Sequence, residues 1–175
     1  MKTILCEKTQ RITTLKKKLQ ERLNVKITNK GKEVFINGNP EDEYFAEKVI
    51  DALNFGFSFS SAILIKEGDC IFEILNIKDH TRRNDLERIR ARIIGTNGKT
   101  LKTLSDLTES HFELKDNFVG IISPPERIEA AQEGIKSIIR GAKQKNVYNF
   151  LEKRKVEDIE DLGLKKPKKK TKEEN

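Results

Sequence analysis

The apolar positions form a pattern that changes period along the chain and then returns. Leu15, Leu19 and Leu23 recur at every fourth residue and predict a helix. Val25-Lys26-Ile27 and Glu33-Val34-Phe35-Ile36 predict two strands around the turn-forming cluster Asn29-Lys30-Gly31. Asn39-Pro40 then predicts a helix start. An asparagine side chain can accept from free first-turn amides, and proline lacks an N–H that the first turn leaves unused. Phe45, Val49, Ile50 and Leu53 are the expected buried stripe of that helix. Residues 58–66, closed by Gly68, predict a short connecting helix, and 71–77 a further strand.

The same succession returns at an offset of about 85 residues. Val34 and Ile36 align with Val119 and Ile121, Pro40-Glu41 with Pro125-Glu126, and Ala46 with Ala131. Ile50 aligns with Ile135, Gly56 with Gly141, and Lys17 and Leu19 with Lys102 and Leu104. In this second copy, 98–109 predicts a helix with Leu101, Leu104 and Leu107 on one face. Residues 111–114 and 118–122 predict a hairpin around Lys115-Asp116-Asn117. Ser123-Pro124-Pro125-Glu126 predicts a capping box with proline at the helix start. Ile128, Ala131, Ile135, Ile138 and Ile139 form that helix's apolar face, Gly141 its stop, and 147–155 one more short helix.

The pattern therefore predicts an α+β chain of two tandem modules, 1–66 and 67–155. Residues 156–175 are expected to form a charged, disordered tail, since Lys165-Lys166-Pro167-Lys168-Lys169-Lys170 has nothing with which to build a core.

Composition narrows the function. Hydrophobic residues make up 35% and charged residues 36%, which suits small cores under a charged surface. The net charge of +7 favours polyanionic partners, because each neutralised phosphate releases condensed counterions. Aromatic residues reach only 6%, with no tryptophan, so a broad stacking platform is not expected. Cys6 and Cys70 form no CxxC pair, and His80 and His111 cannot complete a four-ligand zinc site, so neither metal nor cofactor is expected. No signal peptide and no apolar run of membrane-spanning length point to a reduced, cytoplasmic setting without a membrane partner. No nucleophile–base set or paired carboxylates argue for an enzyme. Gly98-Lys99-Thr100 ends like a phosphate loop, but Gly95 stands three residues before Gly98 rather than five, and no strand leads in.

The candidate chemistry lies in 88–102. A short apolar helix ends at Gly95, Thr96 and Asn97 follow, and Gly98 opens the next helix. Two glycines at this spacing let the backbone turn sharply and approach a ligand with no Cβ in the way. Free amides at the second helix's start favour an anion. Arg92, Lys99 and Lys102 add positive charge, and Arg88 stands one helical turn before Arg92.

This arrangement resembles the type I KH domain, whose GxxG loop clamps about four unpaired nucleotides by their backbone. The resemblance implies two tandem KH-like modules, each a three-stranded antiparallel sheet packed against helices. It also implies a groove between the helices flanking the loop and the middle strand, 111–114, with Ile93 and Ile94 as apolar floor facing Phe112 or Leu114. The implied RNA-binding set is Arg88, Arg92, Ile93, Ile94, Gly95, Thr96, Asn97, Gly98, Lys99, Lys102 and Phe112.

A closer resemblance rests on Gly56-Phe57-Ser58, Phe72-Glu73-Ile74-Leu75-Asn76-Ile77-Lys78-Asp79, Arg92-Ile93-Ile94-Gly95 and Val147-Tyr148-Asn149-Phe150-Leu151-Glu152-Lys153-Arg154. Over 15–155 the chain resembles archaeal KH-domain ribosome-assembly factors related to the eukaryotic partner of the Nob endonuclease. The resemblance implies non-catalytic binding to single-stranded RNA in the 3′ region of the small-subunit rRNA precursor. It also implies work beside a Nob-type endonuclease and contact with the alpha subunit of translation initiation factor two. The alternatives are a KH subunit of an RNA-degrading or transcription complex, and a protein-interaction scaffold.

Two departures stand out. The loop's middle residues are Thr96 and Asn97, where many such loops carry lysine or arginine, so phosphate affinity falls to Lys99, Lys102 and the arginines. In the first copy, Gln10-Arg11-Ile12-Thr13 takes the loop position without a glycine, or else Ile4-Leu5-Cys6 is the first strand and the loop is deleted. Either way the first module is degenerate. It is expected to support its neighbour or offer a protein surface rather than clamp RNA.

Overall fold

The computed structural model describes residues 1–161. The first half runs β1 (Lys2–Leu5), α1 (Thr9–Leu23), β2 (Lys26–Lys30), β3 (Glu33–Asn37) and α2 (Pro40–Phe55). Short helices α3 (Phe59–Ala62) and α4 (Leu64–Glu67) lead to β4 (Ile71–Asn76) and a 3-10 turn (Ile77–His80). Then follow α5 (Leu86–Ile94), a second 3-10 turn (Thr96–Gly98) and α6 (Lys99–Thr108). The described chain ends with β5 (His111–Lys115), β6 (Phe118–Ser123), α7 (Ile128–Arg140) and α8 (Gln144–Asp161). Each half builds one antiparallel three-stranded sheet, ordered β1-β3-β2 and β4-β6-β5.

The repeat seen in the sequence is a repeat of core positions. Val34 and Ile36 on the first central strand, and Val119 and Ile121 on the second, are all fully buried. So are Leu19 and Leu104, Ala46 and Ala131, and Ile50 and Ile135. Gly56 and Gly141 both end their helices at positive φ, 144° and 102°, a geometry that L side chains rarely adopt. Leu15 and Phe45, expected in buried stripes, are only partly buried at the edge of the first core.

Of the two readings of the first copy, the deletion is the one observed. β1 ends at Leu5 and α1 begins at Thr9, so no counterpart of α5 or its loop exists there. Gln10-Arg11-Ile12-Thr13 is instead the first turn of α1. Arg11 donates from there to the carbonyl of Gly56 at 3.1 Å.

Local capping differs from expectation at both proline-bearing helix starts. Asn39 holds the N-cap of α2, yet its side chain makes no capping hydrogen bond. The box at Ser123-Pro124-Pro125-Glu126 does not form. Ser123 ends β6 fully buried and accepts a 2.8 Å hydrogen bond from Ser110, so its hydroxyl is engaged in the interior. A turn intervenes, the Pro124 carbonyl accepts the Arg127 and Ile128 amides, and α7 starts with Arg127 at its N-cap. The connecting helix divides in two at Ile63, and α8 extends beyond 147–155 at both ends, entering the segment expected as tail. The lysine-rich run 165–170 lies outside the described residues.

The two halves meet across one face of the second sheet. Val119 and Ile121 enter the core of Leu75, Ile89, Ile93, Leu104 and Ile135. The alternate residue Ile122 joins the first core, as side chains of period two require. Phe55, Phe57 and Phe72 pack there with ring centroids 5.8 to 6.2 Å apart. Gly120 admits them: a Cβ at that position would stand 2.7 Å from Phe57 Cε2 and 2.8 Å from Phe55 Cε1. Lys115 to Glu7, at 2.9 Å, ties the rim.

Glu113 pairs across β5–β6 with Gly120 and so shares this seam. Burial raises its carboxyl pKa above the ordinary range, with Arg11 and Lys8 partly offsetting the rise.

Gly120→Ala is expected to lower stability by about 1–3 kcal/mol through overpacking against the two rings, read from the urea midpoint. For Glu113, the raised pKa means that the native state binds more protons than the unfolded chain just above the ordinary carboxylate value. Stability therefore falls as pH rises through that window. Glu113→Gln is expected to melt higher than the parent at about pH 7 and to lose that advantage near pH 4. An advantage independent of pH would show that charge is not the cause.

Candidate nucleic-acid interface

The loop between α5 and α6 is held by backbone conformations that few residues adopt. Gly95 has φ 74° and ψ 175°, a region essentially confined to glycine. Asn97 sits at φ 53° and ψ 31°, which asparagine tolerates, and Gly98 at φ 73° and ψ 11°. The glycines serve different ends. A Cβ on Gly95 would lie 2.1 Å from Thr100 Oγ1 and 2.8 Å from the Thr100 amide nitrogen. At Gly98 nothing stands within 4 Å of that position, so this backbone is open to a ligand.

The loop is braced from behind. Thr100 is buried, and its Oγ1 accepts from Gln144 Nε2 at 2.8 Å. The same nitrogen lies 3.4 Å from the Arg92 carbonyl, so the start of α8 holds the end of α5 and the start of α6 together. The Gly95 amide donates to Ala91 at 2.8 Å, and the Gly98 amide donates to Gly95 at 3.2 Å. The Lys99 amide turns back onto the Thr96 carbonyl. The loop thus satisfies part of its own amide set. Lys99 and Lys102 stand exposed beside it.

A groove of about 310 Å³ opens beside the loop, lined by Gly98, Leu101, Lys102, Ser105, Asp106 and Phe112. Its strand wall is β5, which is the middle strand of the second half in sequence but an edge strand in the sheet, where β6 is central. Gly98, Lys102 and Phe112 of the sequence-predicted set come together here, although Phe112 is mostly buried in the second core and meets the groove only at its edge. Ile93 does not line the groove: it is fully buried in the second core, where its position on α5 points it inward. Ile94 is 39% exposed and is not among the groove-lining residues. Arg88 and Arg92 line a different cleft. Arg92 is largely committed to structure, donating to the carbonyls of Ile138 at 3.2 Å and Ala142 at 2.7 Å at the end of α7. Thr96 and Asn97 are exposed at the loop tip.

Leu101, Ser105 and Asp106 were not singled out from the sequence. Leu101 shares helical spacing with the buried Leu104 and so reads as core; it is partly exposed because it flanks the groove. His111 is exposed on β5, its Nδ1 3.4 Å from Ser61 Oγ across the junction between the halves.

Neither cysteine is a reactive thiolate. Burial, with Asp51 adding, pushes Cys6 up to about 11, and burial likewise raises Cys70. Among the described residues no group of three or more histidine, cysteine or acidic side chains is placed to hold a metal ion. Nor is any described helix long and apolar enough to cross a membrane.

The two glycines separate by their cost. Gly98→Ala is expected to cost about 1–2 kcal/mol, for the left-handed backbone alone. Gly95→Ala should cost clearly more, because Thr100 and its backbone must also move. Paired urea titrations measure the difference, and equal costs would contradict the packing described here.

Residues 71–156 match the family model described as the eukaryotic type KH domain, KH-domain type I. The chain is 32% identical over 140 residues to the pre-rRNA-processing protein PNO1 of Debaryomyces hansenii, covering 77% of this chain and 54% of that protein. It spans about half the length of such relatives. The crystal structure of Dim2p from Pyrococcus horikoshii is similar at 30% identity with a TM-score of 0.77, over 87% of this chain and 98% of that one. A chain in the a/eIF2alpha-aDim2p-rRNA complex of the same organism is similar at 29% identity and a TM-score of 0.79, over 89% and 94% of the two chains. With two KH-like sheets in tandem, one glycine loop and this breadth of similarity, the chain belongs to the PNO1/Dim2 family of KH-domain pre-rRNA-processing proteins.

Proposed function

We propose that the chain is a non-catalytic, single-stranded RNA-binding ribosome-assembly factor acting on the 3′ region of the small-subunit rRNA precursor. The observation that carries the reading is the loop 95–98. Its backbone is forced into glycine geometry at Gly95, is open at Gly98, and lies beside a groove with both apolar and cationic walls. Lys99 and Lys102 neutralise phosphates, the loop backbone approaches the sugar–phosphate chain, and Leu101, with the small exposed edge of Phe112, offers apolar surface to unpaired bases. Thr96 and Asn97 bring hydrogen-bonding groups without charge.

In this reading residues 67–155 grip RNA while 1–66, lacking a loop, brace the second sheet. The similarity to a chain in a complex with rRNA and a/eIF2alpha supports both the RNA and the alpha subunit of translation initiation factor two as partners. A Nob-type endonuclease is the further partner that the family relationship suggests.

Replacing both Thr96 and Asn97 with aspartate sets negative charge against the phosphates. Affinity for an oligonucleotide of the small-subunit rRNA 3′ end is expected to fall at least tenfold, equivalent to about 1.4 kcal/mol. Binding by the parent chain should weaken linearly in log–log salt plots. Unchanged affinity in the double variant would remove the loop from the RNA site.

A further inference from the structure

A second concentration of positive charge stands outside the groove. Arg82, Arg83, Asn84, Asp85, Arg88 and Arg92 line an open cleft of about 770 Å³ that shares no lining residue with the groove. The cleft is built by the segment after β4 and by one face of α5, with the end of α7 as its anchor. Arg92 is fixed there by the carbonyls of Ile138 and Ala142, favourable acceptors for a cation at a helix C-terminus. Arg83 closes in from the other side. A Cβ on Gly141 would stand 3.7 Å from Arg83 Nη2 and 3.8 Å from Arg92 Nη1.

The charge balance of this cleft is unusual. Arg82, Arg83 and Arg88 are exposed, and among the described residues no hydrogen bond or ion pair engages their guanidinium groups. Arg92 is held by neutral carbonyls, which leave its charge uncompensated. Asp85 supplies the one carboxylate among the lining residues, against four guanidinium groups. Like charges gathered in one cleft repel, and a polyanion relieves that repulsion while releasing its counterions. Guanidinium forks also match the oxygen pairs of a phosphate.

Position favours RNA over an acidic peptide. α5 runs from the cleft directly into the glycine loop, and Arg88 lies about 10 Å along the helix axis from Gly95. Gln144 bridges the Arg92 carbonyl and Thr100 behind the loop, so one side of the cleft and the loop share a support. A strand held at the loop needs only a few further nucleotides to reach the arginines.

We infer that the arginine cleft binds backbone phosphates of nucleotides flanking those in the groove, lengthening the RNA footprint without adding base specificity. The inference rests on the RNA-binding reading above, and the test separates the two. The parent chain, Arg82→Ala/Arg83→Ala and Thr96→Asp/Asn97→Asp are titrated with single-stranded RNA of four and of twelve nucleotides across a salt series. Matching thermal melts establish that the variants are folded. The arginine variant is expected to bind the four-nucleotide RNA like the parent and the twelve-nucleotide RNA about tenfold more weakly. Its salt slope on the longer RNA should be shallower by about 1.4, for two phosphates at about 0.7 each. The loop variant is expected to lose both RNAs. Parental affinity and slope of the arginine variant on the longer RNA would overturn the inference, and more pointedly if the variant lost binding to a polyglutamate probe. If the loop variant bound normally while the arginine variant lost the longer RNA, the cleft would stand and the groove reading would fall.

Discussion

The packing of Phe55, Phe57 and Phe72 against Gly120 and Ile122 is the contact on which the placement of every other feature depends. A three-stranded sheet has two faces, and the second sheet covers one with its own helices α5, α6 and α7 and much of the other with the first half. Phe55 and Phe57 can approach because β6 carries glycine where its neighbours carry valine and isoleucine. This burial holds β5 in place as an edge strand, and β5 supplies the strand wall of the groove. The loopless first half therefore supports the sheet that carries the groove from behind.

A second constraint acts at the loop. Gly95 turns so tightly over Thr100 that a side chain has no room, and Thr100 is in turn held by Gln144 at the start of α8. Arg92, one turn earlier, is tied to the end of α7. Three helices thus converge behind a segment of four residues and fix its shape before any ligand arrives. Preorganisation of this kind reduces the ordering cost of binding. The amides of Gly98 and Lys99 are spent on the loop itself, on the Gly95 and Thr96 carbonyls.

Much of this was legible in the sequence where one local rule governed one residue. The repeat was readable because each half needs apolar residues at the same core positions, and Val34, Ile36, Val119 and Ile121 meet that need identically. The glycine loop was readable because few other residues reach such backbone angles. Capping was less legible. Ser123 has the right residue type and spacing for a box, but its hydroxyl is drawn inward to Ser110, and no local rule reports a partner thirteen positions away in the chain. Ile93 and Leu101 exchanged their expected places for a similar reason: helical spacing marks an apolar stripe without saying which edge of it borders a groove.

By itself the sequence determined the α+β alternation, the two-fold repeat, the position of the glycine loop and the absence of that loop from the first copy. Each follows from periodicity, turn chemistry or chain length, which act over a few residues. Only the tertiary structure decided which side chains share a surface. It placed Gly98, Lys102 and Phe112 in one groove, turned Arg92 onto the end of α7, and gathered Arg82, Arg83 and Arg88 into a separate cleft. Those groupings depend on how helices pack across a sheet, and the packing is set by contacts between residues far apart in the chain.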